Sequence, residues 1–134
     1  MVFGNTSTPS GILTVTLCEG KGLKDKDLIG KNDPYVELWL DDNYKQRSSN
    51  ISGTNNPVWN ETFSFNITKS SHDKKLYLKV YDKDLVGCDK IGDTKFDLKD
   101  VYSGKEFDGW VSLPAKLGLT SHGELHLKIN FTPN

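Results

Sequence analysis

Apolar and polar residues alternate along several short stretches of this chain. From Gly11 to Glu19, Leu13, Val15 and Leu17 fall on one face and Thr14 and Thr16 on the other. The same period of two runs through Tyr35 to Leu40, with Val36, Leu38 and Leu40 inward, and through Trp59 to Asn66, with Phe63 and Phe65 inward. It returns in Lys75 to Tyr81 (Leu76, Leu78, Val80) and in Gly123 to Phe131 (Leu125, Leu127, Ile129, Phe131). Successive side chains point to opposite faces of a strand, so each run predicts a half-buried β-strand. Tyr44 to Ser49 reads as a weaker, polar strand, Ile91 to Leu98 as a further one, and Gly109 to Leu113 as short and extended. Lys99 to Gly104 suits one helical turn, and no helical period is sustained elsewhere. About eight short strands separated by turn residues predict an all-β fold, an eight-stranded antiparallel β-sandwich.

Two stretches interrupt this alternation with carboxylates. Asp27 to Tyr35 reads D-L-I-G-K-N-D-P-Y, and Asp82 to Asp89 reads D-K-D-L-V-G-C-D. Each joins a predicted strand directly, and each carries apolar residues and a glycine. Two loops meeting at one end of a sandwich would gather Asp27, Asp33, Asp82, Asp84 and Asp89. Calcium is a hard cation that takes about six to eight oxygen ligands in loose geometry, which suits such a cluster. Five clustered carboxylates would otherwise repel one another. Asp, Asn, Gly and Pro are also ordinary turn residues, a reading that accounts for either loop alone. An EF-hand is excluded. Ile29 and Val86 stand where ligands are needed, and the flanking segments have strand rather than helix patterns.

Composition narrows the function classes. With 134 residues the chain is one domain, read as a flexible tail over 1–9 and a folded unit over 10–132. The formal net charge of -1 offers no basic body for nucleic acid. Cys18 and Cys88 are too few for a disulfide framework and are expected as free thiols, which suits a cytoplasmic protein. The N-terminus has no signal-peptide pattern, and no apolar run approaches a membrane span. His72, His122 and His126 pair with no recognisable nucleophile, and there is no phosphate-cradling glycine pattern or zinc spacing, so no enzyme is expected. Trp39, Trp59 and Trp110 read as packing residues.

Three signatures in order give the chain a family resemblance. They are Gly11-Ile-Leu-Thr-Val running into Gly22-Leu23 and Asn32-Asp33-Pro34-Tyr35-Val36; Asn56-Pro57-Val58-Trp59-Asn60-Glu61 followed by Phe63 and Phe65; and Val80-Tyr81-Asp82-Lys83-Asp84 followed by Asp89 and Ile91-Gly92. Over roughly residues 10–132 the chain resembles the C2 domain, a calcium- and phospholipid-binding sandwich. A strand leading into the first loop and a full strand after the last resemble the permuted arrangement called type II. The size resembles small proteins made of one C2 domain, including the elicitor-responsive proteins of plants.

The resemblance implies calcium ligands at the side chains of Asp27, Asp33, Asp82, Asp84 and Asp89 and at the backbone carbonyls of Lys26 and Lys83. It departs from the family in two places. The segment between Asp84 and Asp89 is one residue shorter than the common loop, which bears on the reach of Asp89, and Asn32 stands where Ser is common. The implied function is calcium-dependent binding to anionic phospholipid membranes, in a cytoplasmic protein that becomes peripheral to the membrane. Ile29 and Val86, nearest the loop tips, are expected to insert, while Leu28 and Leu85 either insert or fold back onto the core. Burial of such side chains at ~25 cal/mol per Å² would contribute several kcal/mol to docking. Lys45, Arg47 and Lys79 form the one basic surface suited to phosphoinositides, each worth about 1 kcal/mol near an anionic membrane. The competing reading is a calcium-independent protein-interaction module on the same sandwich.

Overall fold

A computed structural model describes residues 9–24, 31–70, 73–84, 87–115 and 121–134, with Asp84 described by its backbone alone. Its strands are β1 (Gly11–Lys21), β2 (Pro34–Asp41), β3 (Tyr44–Arg47), β4 (Val58–Ile67), β5 (Lys75–Asp84), β6 (Gly87–Asp97), β7 (Phe107–Ser112) and β8 (Glu124–Pro133). A single helical turn, α1 (Lys99–Tyr102), lies between β6 and β7. Among the described residues the strands form two antiparallel four-stranded sheets, ordered β4-β1-β8-β7 and β3-β2-β5-β6. The β-sandwich expected from the alternation is therefore the fold. Its first and last strands, β1 and β8, are neighbours in one sheet, consistent with the type II arrangement.

The inward residues of the sequence pattern form the core. Leu13, Val15 and Leu17 of β1 face Val36 and Leu38 of β2 across the layers, with Leu76, Leu78, Val80, Leu125, Leu127 and Ile129 buried beside them. The core is aliphatic in the middle, and Trp59, Phe63 and Phe65 of β4 close one side. Both cysteines are free thiols, Cys18 buried and Cys88 exposed. No described helix is long and apolar enough to cross a membrane.

Two expectations need correction. The stretch Asp82 to Asp89 is less a loop than a hairpin end. β5 runs to Asp84 and β6 starts at Gly87, pairing Asp82 with Asp89, Lys83 with Cys88 and Asp84 with Gly87. Only two residues, 85 and 86, separate the paired ends of the ladder at Asp84 and Gly87. Trp110 is not a core residue: it is 43% exposed on β7, where its ring stacks on His126 of β8 at 5.2 Å.

Candidate functional site

The ends of β2 and β5 bring Asp33 and Asp82 together. Pro34 opens β2, a position where a missing N–H costs no ladder bond. It pairs with Asp82, which extends the inward series Leu76, Leu78, Val80 by one more step. The alternation that builds the core thus also drives a carboxylate inward, and Asp82 is only 3% exposed. A buried carboxylate requires compensating donors. The backbone N–H of Asp33 donates to Asp82 Oδ1 at 2.7 Å, and the N–H of Lys83 donates to the carbonyl of Asp33 at 3.0 Å. The half-buried Asp33 carboxylate is held in turn, its Oδ1 accepting from the N–H of Gly53 at 2.6 Å. These backbone bonds fix both side chains in place.

That last contact brings in a segment whose sequence suggests only an ordinary loop, residues 51–57. Beyond the Gly53 contact it braces the site through several further bonds. Asn55 Oδ1 accepts from Asn32, Asn56 Oδ1 accepts from the N–H of Gly22 at 2.8 Å, the carbonyl of Asn55 accepts from Leu23, and the carbonyl of Pro57 accepts from Gly20. Its exit is anchored by Trp59, whose indole N–H donates to the carbonyl of Ser49 at 3.0 Å. The signal was present in the Asn55-Asn56-Pro57 run, since Asn side chains hydrogen-bond backbone groups readily. Local composition leaves open which backbone they meet.

The turn before β8 holds the other side of the first loop's root. Lys24 N–H donates to the carbonyl of His122, and His122 Nδ1 lies 3.0 Å from the carbonyl of Ile91. Gly123 has φ +119°, and a Cβ there would stand 2.9 Å from Leu23 Cα, so the position admits only glycine.

Asp33, Asp82 and the Lys83 backbone are thus at the expected end of the sandwich. Asp89 is exposed and directly opposite Asp82 in the β5–β6 ladder. Lys26, Asp27, Leu28, Ile29, Leu85 and Val86, and the side chain of Asp84, lie outside the described residues. Among the described residues no three His, Cys, Asp or Glu side chains stand together as a metal-holding group. The carboxylates present fit a hard cation in kind, and no described lysine or arginine forms an ion pair with Asp33 or Asp89. Asp33, Asp82 and Asp89 carry six carboxylate oxygens, at the low end of the six to eight that calcium takes, and Asp33 Oδ1 and Asp82 Oδ1 each already accept a backbone N–H.

The outer face of the β3-β2-β5-β6 sheet carries the predicted basic residues. Lys45 lies 4.4 Å over the Trp39 ring, Arg47 3.9 Å over Tyr35, and Lys79 5.1 Å over Tyr81. Tyr35 stacks on Tyr81 at 5.2 Å, and Trp39 on Tyr77 at 5.8 Å. A hydrogen bond to the Tyr81 side chain, more than any nearby charge, raises the Lys79 pKa. Lys45 also approaches Glu37 at 3.7 Å. An open groove of about 630 Å³ is lined by Trp39, Lys45, Tyr77, Lys79 and, unforeseen from the sequence, Lys95. Lys95 pairs with Tyr77 across β5 and β6, so its face was readable once that register was known.

Comparison with known proteins fits this geometry. The chain is 32% identical over 93% of its length to synaptotagmin-5 of Arabidopsis thaliana and spans 23% of that protein. It is 34% identical over 72% of its length to a calcium-dependent lipid-binding protein of the same plant, spanning 19% of it. With elicitor-responsive protein 1 of Oryza sativa subsp. japonica it shares 33% identity over 92% of its length and 85% of the relative's. The calcium-bound pair of C2 domains from extended synaptotagmin 2 superposes with a TM-score of 0.80 at 26% identity, over 95% of this chain and 47% of that one. The C2 domain model matches residues 11–113, and the chain belongs to the C2 domain family.

Proposed function

We propose that this protein binds anionic phospholipid membranes in response to calcium, through the end of the sandwich that carries Asp33 and Asp82. The observation that carries this reading is the buried Asp82 carboxylate, bonded to the Asp33 backbone where β2 and β5 meet. Asp27, Asp84 and Asp89, with the carbonyls of Lys26 and Lys83, would complete the ligand set. Bound calcium would offset the negative loop charge and present open coordination positions to lipid phosphate or carboxylate oxygens. Two ions would move the formal net charge from -1 to +3. Ile29 and Val86 would enter the bilayer, with Leu28 and Leu85 beside them or folded back. Lys45, Arg47 and Lys79 would add contacts to phosphoinositide headgroups. The folded unit over 10–132 would act as a peripheral, cytoplasmic membrane-targeting module without catalysis of its own. Its kinship to a calcium-dependent lipid-binding protein and to calcium-bound C2 domains supports the reading.

The second reading, a calcium-independent interaction module, has one observation in its favour. The basic face is assembled on its rings by contacts that involve none of the loop-end carboxylates. Co-sedimentation with phosphatidylserine vesicles across a calcium titration separates the two, with Asp27→Asn/Asp82→Asn beside the wild type. Sedimentation that needs calcium and is lost in the double variant is the expected result. Sedimentation indifferent to calcium would sink the proposal and favour the basic face, and no sedimentation would favour a protein partner.

A further inference from the structure

We propose that Asn32 is a positioning residue: its side-chain amide latches the two ends of the segment that bears Asp27 and joins them to the 51–57 loop. The inference rests on the calcium reading above and concerns how that site is held open before any ion arrives.

Asn32 is fully buried, one residue before Asp33. Its Nδ2 donates to the carbonyl of Lys24 at 2.9 Å and to Asn55 Oδ1 at 2.8 Å. Its backbone N–H reaches the same Asn55 Oδ1 at 3.2 Å, and its carbonyl accepts from Thr54 at 2.8 Å. The bond to Lys24 closes the chain on itself eight residues apart, on either side of Asp27. The bonds to Asn55 and Thr54 fasten that closure to the loop whose Gly53 holds the Asp33 carboxylate.

One further detail points to the donor as the reason for the residue. Asn32 Oδ1 is buried with no hydrogen-bond partner among the described residues. Turning the amide over would set that oxygen against two other acceptors, so the orientation is fixed by Nδ2. An unpaired buried carbonyl is unfavourable, and it is tolerated here for the two bonds the other half of the amide makes. A serine at this position has a single hydrogen to give and would make one of them at most.

The test uses variants matched in charge. Asn32→Asp and Asn55→Asp each add one negative charge beside the site. Only the first loses the donor, since an aspartate at 55 still accepts. Partners that orient metal ligands typically cost on the order of 10–100-fold in metal affinity when removed. Calcium titration by calorimetry should therefore show that loss for Asn32→Asp and little change for Asn55→Asp. In case the buried charge at 32 prevents folding, Asn55→Ala removes the acceptor from a half-buried position and should weaken calcium binding where Asn55→Asp does not. Amide hydrogen exchange without calcium supplies a reading independent of the ion. Asn32 and Thr54 N–H should lose protection in Asn55→Ala and keep it in Asn55→Asp. Equal affinities in Asn55→Ala and Asn55→Asp, or equal losses in the two aspartate variants, would overturn the latch. A wild type that binds no calcium would sink the calcium reading instead, while the exchange data would still decide whether the latch exists.

Discussion

The molecule has two charged surfaces at the same pair of strands, built in different ways. At the loop end, two carboxylates are held by the backbone: Asp82 by the N–H of Asp33, and Asp33 by the N–H of Gly53. On the outer face of the same sheet, each cation rests on a ring: Lys45 on Trp39, Arg47 on Tyr35 and Lys79 on Tyr81. Backbone bonds fix atoms in place, which suits an ion that needs several oxygens at short range. Ring contacts let long side chains slide, which suits diffuse attraction to an anionic surface. The first surface should therefore be sensitive to small changes of geometry and the second to salt and charge count.

The largest effect should come from Asp82→Ala. It removes a proposed calcium ligand and the acceptor for the Asp33 N–H together, and leaving a buried donor without its partner costs about 1–3 kcal/mol. Calcium-induced vesicle binding should disappear in sedimentation, while any binding without calcium survives. Asp82→Asn should keep the bond to Asp33 through Oδ1 and so retain thermal stability while losing the calcium response. If both variants kept the response, the site would lie elsewhere. Next in size, Lys45→Ala/Arg47→Ala/Lys79→Ala removes about 3 kcal/mol of attraction at low salt, roughly 100-fold in vesicle affinity. Calcium affinity without lipid should be unchanged, and a fall in it would show that the two surfaces are not separable. A smaller step is Trp39→Leu, which withdraws the ring under Lys45. A cation over an exposed ring is worth about 0.5–1 kcal/mol, so vesicle affinity should fall only about two- to fivefold.

The two surfaces also differ in how readily the sequence disclosed them. Strand faces follow from alternation, so the core, the single helical turn and the inward series Leu76, Leu78, Val80 were visible in the residue pattern alone, while its extension to Asp82 was hidden by the reading of that residue as a loop. Lys45, Arg47 and Lys79 were grouped through the family resemblance rather than by alternation, and each lies over a ring of the same sheet face. Cross-strand neighbours were not visible. Which rings Lys45 and Arg47 meet depends on the β2–β3 register, and the stacking of those rings on Tyr77 and Tyr81 depends on the β2–β5 ladder. The bracing of the site by Gly53 and Asn55 was hidden for a related reason. These are side chain–backbone and side chain–side chain bonds between segments about 20 residues apart, and nothing in local composition encodes the partner of a buried amide. The hairpin character of Asp82 to Asp89 was masked by its turn-like residues, whereas pairing with β6 decided the structure.

Tyr35 belongs to both surfaces, and its ionisation gives the finest test of their linkage. It follows Asp33-Pro34, is buried, carries Arg47 on its ring and stacks on Tyr81. Burial first, and then a hydrogen bond with the Cys88 thiol, raises its pKa from 10.0 to about 12. A raised pKa means that the folded state resists the charged form. The stabilising contribution is whole below the unfolded value near pH 10 and is lost as pH climbs to about 12. Urea midpoints should therefore fall more steeply between pH 10 and 12 in the wild type than in Tyr35→Phe. At pH 7 the Phe variant should cost about 1 kcal/mol for the lost hydrogen bond. Its cationic ring contact survives, since phenylalanine keeps the aromatic face under Arg47. Vesicle binding at neutral pH should thus be nearly unchanged. An equal alkaline slope in both proteins would mean that Tyr35 titrates freely and that the joint between the carboxylate end and the basic face is looser than its contacts imply.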